Sequence, residues 1–211
     1  MSLFKEKKMI EYAQLSYKLG LVWGKSGNMS LRLDNNHFII TASGASLREL
    51  NESDIVKCSL DLKNKEVYGE KKPSMEFRMH RDIYRVRKDV CAILHAQPLF
   101  STLIACSSEI ELERGILPES IAYLKKIERV VYHHPGSIEL AQEAAKRSID
   151  ADVLLLENHG VVCIGTSGED VINKAETLEF LARLTITAKS NQTTLKVLPK
   201  DIVDSFERML K

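Results

Sequence analysis

The sequence predicts an α/β protein in which a mixed or antiparallel sheet is covered by helices. Three observations carry that reading. Apolar strand-like runs such as HFIIT, AILHA and VLLL mix with helical stretches, but without the strict βαβ rhythm of a parallel sheet. Neighbouring strand segments are joined by tight turns, Asp34-Asn35-Asn36 and Asn158-His159-Gly160, which favours antiparallel pairing. Residues 168–189, GEDVINKAETLEFLARLTITAK, form one long helix.

Local pattern justifies each element in turn. Residues 4–20 place Phe4, Lys8 or Met9, Tyr12, Leu15 and Leu19 at helical spacing, and Gly20 closes the segment. The turn-rich WGKSGNMS leads into two short strands, SLRL and HFIITAS, and SDIVKCSLD forms a third. KNKEVYGEKKPS is a polar loop with room for a short strand at its centre. From Glu76, EFRMHRDIYRVR is a helix with Phe77, His80, Ile83 and Tyr84 on one face. DVCAILHA is a buried strand, and PLFSTLIAC opens a helix with Pro98 in its first turn. RVVYH, residues 129–133, is a short strand, and SIELAQEAAKRS is a helix started by Ser137 with a carboxylate nearby. VLLLENHG and VVCIGT pair around the Asn-His-Gly turn, and residues 200–210 form a short terminal helix. No internal repeat is present.

A chain of 211 residues without a Pro-, Gly- or Ser-rich linker is read as one domain over residues 1–211. Lys and Arg number 30 against 29 Asp and Glu, so the net charge of +1 provides no global attraction to nucleic acid or to an anionic membrane. A hydrophobic fraction of 44% suits a packed core. Cys58, Cys91, Cys106 and Cys163 show no CxxC spacing and read as reduced core residues. The stretch MSLFKEKKMIEYAQ is amphipathic and charged, without a signal-peptide apolar core, and no run reaches transmembrane length. The expectation is a soluble, cytoplasmic protein.

Chemistry concentrates in a few short stretches. In WGKSGNMSLR, Gly24 and Gly27 flank small polar residues, so backbone N–H groups can converge on an anion, with Ser26 and Asn28 adding donors. Taken alone, the segment reads first as a turn. TASGAS contributes Thr41, Ser43, Gly44 and Ser46, and KKPSME contributes Ser74 beside two lysines. Three donor-rich loops capping neighbouring strands would make one phosphate pocket. Glu76 stands at a helix start, where a carboxylate complements the helix dipole, and His80 lies one turn on along the packed face. His95 ends a buried strand, where an imidazole needs a hydrogen-bond partner or a metal. His159 sits at the strand-pair turn, and Gly160 leaves room for a close approach. Two histidines ending separate buried strands are typical metal ligands. In an extended strand His95 and Gln97 project the same way, so Gln97 stands where a further ligand would. His133 and His134 read as surface or pocket-rim residues, and His37 as a turn residue.

Taken in order, six segments resemble the class II aldolase/adducin-head family: SGNMSLR (26–32), FIITASG (38–44), KPSMEFRMH (72–80), DVCAILHAQP (89–98), PGSIELA (135–141) and LLLENHGVVCIG (154–165). The resemblance implies a three-layer α/β/α fold around a central, mostly antiparallel sheet. It also implies a homo-oligomer, commonly a cyclic homotetramer with sites at subunit interfaces. By the same resemblance, Gly27, Asn28, Ser43, Gly44 and Ser74 bind a substrate phosphate, and Glu76 is the acid/base carboxylate. His95 and His159 match histidines that hold a divalent metal, usually zinc.

The implied activity is that of a metal-dependent aldolase-type lyase cleaving a phosphorylated ketose of the fuculose-phosphate kind. A Lewis-acidic metal stabilises the enediolate formed when the carbon–carbon bond breaks. The phosphate loops orient the reacting end, and the carboxylate moves the proton. The same scaffold serves epimerases, dehydratases and decarboxylases of sugar or sugar-acid phosphates, and the non-catalytic adducin head. Retention of Glu76, His95, His159 and most of the phosphate loops argues against the last of these.

Some positions depart from the family pattern. Gln97 stands where a third metal histidine is usual; as an amide ligand it implies weaker metal binding or a harder ion. Met75 stands where the phosphate loop often has a second serine, which removes one donor. Leu117 falls near the tyrosine acid of the sugar-phosphate aldolases, so that role is unfilled. Glu119 nearby reads either as a compensating acid or metal ligand, or as a helix N-terminal carboxylate.

Overall fold

The computed structural model describes residues 2–61 and 66–209, so residues 63–65 of the predicted polar loop and residue 210 of the terminal helix lie outside it. Its centre is an eight-stranded sheet in the order β4-β3-β2-β1-β5-β8-β7-β6. The strands are β1 (Asn28–Arg32), β2 (His37–Thr41), β3 (Ile55–Ser59), β4 (Val67–Tyr68), β5 (Ala92–Ala96), β6 (Ile127–Val130), β7 (Val153–Leu156) and β8 (Gly160–Gly165). All neighbouring pairs are antiparallel except β6 and β7, which run parallel. Short turns after β1 and β7 return the chain beside the strand it has just left, which leaves antiparallel pairing as the direct solution.

Helices cover both faces and make the three layers expected. On one face lie α1 (Ser2–Lys18), α3 (Leu99–Ala105), α4 (Pro118–Leu124) and α6 (Gly168–Ser190); on the other lie α2 (Phe77–Val86) and α5 (Ile138–Arg147). A terminal helix, α7 (Lys200–Met209), packs on α4. Ser137 caps α5 and Ser167 caps α6, their side chains accepting from the backbone N–H groups of Leu140 and Asp170. The period of two along β5 sends Ala92, Leu94 and Ala96 to the α6 side and Ile93 to the α2/α5 side. His95 shares the face of Ile93, which directs its imidazole toward the layer containing α2.

Three sequence expectations are corrected. The buried face of α1 is only in part the one its large apolar residues suggest: Met9 is buried and Tyr12 packs half-buried on the core as expected, beside Ala13 and Ser16, while Phe4, Leu15 and Leu19 are exposed. Ala13 and Ser16 are small enough to let α1 pack closely against α6 and β1, and the Ser16 hydroxyl donates to the Tyr12 carbonyl at 2.9 Å, so its burial leaves no polar group unpaired. Strand β6 runs earlier than expected, because its pairing with β7 ends at Val130 opposite Leu156; Tyr132 and His133 fall beyond it. Cys58 and Cys163 are buried and Cys91 and Cys106 exposed, all four free; the exposed pair sit at element ends, just before β5 and just after α3. No helix among the described residues is long and apolar enough to cross a membrane.

Candidate metal centre and anion pocket

Strand order assembles the site. β5 lies between β1 and β8, with Asn28 opposite His95. The end of β5 therefore meets the turn that opens β8, and the rings of His95 and His159 come together with centroids 4.7 Å apart. Glu76, the residue that starts α2, reaches both from the covering layer. Its Oε2 lies 3.4 Å from His95 Nε2, and its Oε1 lies 3.1 Å from His159 Nε2. One donor atom from each of the three side chains falls within 4.8 Å of the others.

The electrostatics follow from burial and from these neighbours. His95 Nδ1 is 3.0 Å from the Val161 carbonyl, an acceptor, so Nδ1 donates there and Nε2 is the ring nitrogen turned toward Glu76. Burial opposes ionisation of Glu76, but His95, His159 and a 3.0 Å hydrogen bond from Asn28 Nδ2 outweigh it and hold the carboxyl below its ordinary range. Burial, with His95 alongside, pushes His159 down, so that ring is neutral near pH 7. The Glu76–His159 contact, made by Nε2, lacks hydrogen-bond geometry, which leaves Glu76 Oε1 buried without a partner; His159 Nδ1, the other ring nitrogen, is likewise buried without one. Two imidazole nitrogens and an ionised carboxylate, with a buried acceptor unsatisfied by the protein, form a donor set that suits a divalent cation such as zinc. The residues fit the implied metal.

Gln97 is held beside this cluster. Its Nε2 donates to the His159 carbonyl at 2.7 Å, leaving Oε1 as its remaining ligand atom. Gly160 permits the contact, since a Cβ there would lie 2.7 Å from the Ala96 carbonyl oxygen and 2.8 Å from Gln97 Cγ.

The three donor-rich loops converge on the same place. Gly27, Asn28, Ser43, Gly44 and Ser74 line one cavity of about 210 Å³ together with Glu76, His95, Gln97 and His159. Gly27 adopts φ +77°, and a Cβ there would sit 2.6 Å from Val22 Cγ1 and 2.8 Å from the His95 carbonyl oxygen; the first loop closes over β5 only because that atom is missing. Backbone bonds of 2.9 Å from Ser43 N to Lys72 O and from Ser74 N to Thr41 O join the other two loops. Asn28 departs from its expected part in one respect: its amide bonds Glu76, so it couples the first loop to the carboxylate.

Other expected residues lie outside this cavity. Leu117 and Glu119 are at the start of α4, in a separate groove with Tyr123, Glu176 and Phe180, so within one chain Glu119 is a helix-start carboxylate and does not join the cluster. His80 packs beneath Glu76 with Nδ1 2.7 Å from Ser30 Oγ, and burial pushes its pKa down to about 3, making it a neutral interior ring. His37 contacts Asp34 at 3.1 Å, His133 is half-buried, His134 is exposed, and none of them lines the cavity. Sequence reasoning missed Lys25 and Pro135, which also line it. A cation between Gly24 and Gly27 was the available signal for Lys25.

A mostly antiparallel three-layer fold, with a His–His–carboxylate cluster opening onto a donor-lined pocket, is the architecture of a class II aldolase-type domain. The chain belongs to the class II aldolase and adducin N-terminal domain family, whose sequence model matches residues 7–186. It is 40% identical over 182 residues to an L-fuculose phosphate aldolase of Methanocaldococcus jannaschii, an alignment covering 86% of this chain and 95% of that one. It is 29% identical over 193 residues to a 3-oxo-tetronate 4-phosphate decarboxylase of Haemophilus influenzae, covering 90% of each. Among solved structures it resembles an L-fuculose 1-phosphate aldolase with a TM-score of 0.85 and 30% identity, over 97% of this chain and 94% of that one.

Proposed function

We propose that this protein is a metal-dependent aldolase-type lyase that cleaves a carbon–carbon bond in a phosphorylated ketose of the fuculose-phosphate kind. The observation that carries this reading is the Glu76 carboxylate, 3.4 Å and 3.1 Å from the Nε2 atoms of His95 and His159 in a cavity shared with the three donor-rich loops. His95 and His159 hold the metal, zinc in this reading, with Gln97 as a third and weaker ligand. The metal supplies Lewis acidity toward the carbonyl of the substrate. Gly27, Ser43, Gly44 and Ser74 hold the phosphate, and that remote binding energy orients the reacting carbons. Glu76, kept ionised by its neighbours, accepts the proton lost by the hydroxyl whose carbon becomes the aldehyde and delivers it to the carbon freed by bond cleavage. The homotetramer and the cytoplasmic location belong to the same proposal and rest on the sequence resemblance to the family.

A second reading, decarboxylation of a sugar-acid phosphate, is favoured by Leu117. Loss of carbon dioxide from a β-keto acid needs no acid–base group at a departing aldehyde, so the absence of the tyrosine matters less. The decarboxylase relative supports this alternative.

Incubation with L-fuculose 1-phosphate and with 3-oxo-tetronate 4-phosphate separates the readings, one by aldehyde release and the other by carbon dioxide release. In either case Glu76→Gln is expected to lower kcat by about 10²- to 10⁴-fold. Turnover unchanged in Glu76→Gln would refute the role given to that carboxylate.

A further inference from the structure

The phosphate loops of this chain have a deficit of charge that one residue corrects. Their donors at Gly27, Ser43, Gly44 and Ser74 are neutral N–H and O–H groups, and the ionised group facing them across the cavity is the Glu76 carboxylate. A phosphomonoester near pH 7 is largely dianionic, so neutral donors beside a carboxylate would leave it poorly balanced. Met75 worsens the balance: it brings an exposed thioether to the cavity rim beside Gly136, in a place with no hydrogen to donate.

Lys25 is the single lysine or arginine among the described residues lining that cavity. Its side chain is exposed and makes no ion pair with another described residue. The turn that carries it is well held. Gly24 and Gly27 take φ +55° and +77°, Ser26 N donates to the Trp23 carbonyl at 2.8 Å, and Trp23 N donates to Ser26 Oγ at 3.0 Å. The same turn is pressed on the end of β5 at Gly27, so the lysine backbone keeps its place relative to His95. A flexible ammonium with three donors, mounted on a rigid turn at the pocket rim, is suited to meet an anion there.

We infer that Lys25 is the charged anchor of the substrate phosphate, replacing the binding lost where Met75 stands in the third loop. The inference rests on the reading of this cavity as a phosphate pocket, and it narrows the ligand class to compounds that place a phosphomonoester at the 24–27 turn.

Inorganic phosphate is the probe, its affinity for the full-length protein measured by calorimetry at two ionic strengths. Lys25→Met is expected to weaken binding by about 10- to 100-fold and to reduce its salt dependence, and Lys25→Arg to retain most of it. Met75→Ser is expected to tighten binding by about 3- to 10-fold. If Ser74→Ala weakens phosphate binding while Lys25→Met leaves it unchanged, the pocket stands and the role of Lys25 is refuted. If wild type binds no phosphate, or neither Ser74→Ala nor Lys25→Met changes the affinity, the reading of the pocket falls together with the inference.

Discussion

The side-chain amide of Gln97 donates a 2.7 Å hydrogen bond to the backbone carbonyl of His159. The side chain proposed as a weak metal ligand thus braces the turn that carries His159. Bracing and ligation use different atoms of the amide, Nε2 for the first and Oε1 for the second. Gln97→His exchanges an amide oxygen for an imidazole nitrogen and is expected to raise zinc affinity. Gln97→Ala removes the brace and is expected to lower it by about 10- to 100-fold. Metal content of protein prepared without chelator, followed by competition titration, checks both. Equal affinity in all three proteins would remove Gln97 from the metal site.

Gly160 allows the ends of β5 and β8 to approach. The atoms a Cβ would meet include the Ala96 carbonyl oxygen at 2.7 Å, a backbone atom that cannot swing aside. Gly160→Ala is expected to destabilise the fold by about 1–3 kcal/mol, read as a lowered Tm. It should also weaken metal binding, because the shift falls between His95 and His159. A variant with unchanged Tm and metal affinity would contradict the close approach.

His80 predicts an acid-side loss of stability. Burial is the main cause of its depressed pKa of about 3, whereas the ring in the unfolded chain titrates near 6.5. Between those values the unfolded state binds a proton that the native state refuses, so stability falls as pH falls, by about 1.4 kcal/mol per pH unit. Above pH 6.5 this group contributes no slope, and below about pH 3 both states are protonated. His80→Gln is expected to flatten urea-unfolding stability between pH 6.5 and 4 relative to wild type, and parallel curves for the two proteins would refute this.

Lys174 holds a buried charge network at the opposite end of β8. Its Nζ lies 3.2 Å from Asp152 Oδ2, 3.0 Å from Asp170 Oδ2 and 2.8 Å from the Ile164 carbonyl, to which it donates. Lys174→Met removes the buried cation shared by two carboxylates, of which Asp152 keeps Arg87 at 3.0 Å and Asp170 keeps the Thr166 N–H at 2.9 Å, and is expected to cost about 1–3 kcal/mol in urea unfolding. Adding Asp152→Asn should restore part of that loss. A double variant no more stable than the single one would show that the pair is not coupled.

Much of the architecture was legible locally. Tight turns at 34–36 and 158–160 specified the hairpins, and Ser137 marked a helix start correctly through its side chain. The face of α1 was legible only in part, through Met9 and Tyr12, because hydrophobic spacing reports large side chains whereas this interface is made close by Ala13 and Ser16. Helix α4 was not read as an element; only the helix-start reading of Glu119 pointed to it, and its consequence was to place Glu119 in a groove away from the histidines.

Residue type and order alone determined which side chains could take part: the glycines and hydroxyls of three loops, a carboxylate at a helix start, and imidazoles at strand ends. Period two along β5 further set His95 on the same side as Gln97. Tertiary structure decided who meets whom. Placing β5 between β1 and β8 put Asn28, His95 and His159 side by side, and laying α2 over them lowered Glu76 onto both rings. It also turned Asn28 toward the carboxylate and brought Lys25 to the rim. Strand order is set by how the whole sheet buries its two faces, a sum over many distant residues that no single segment encodes.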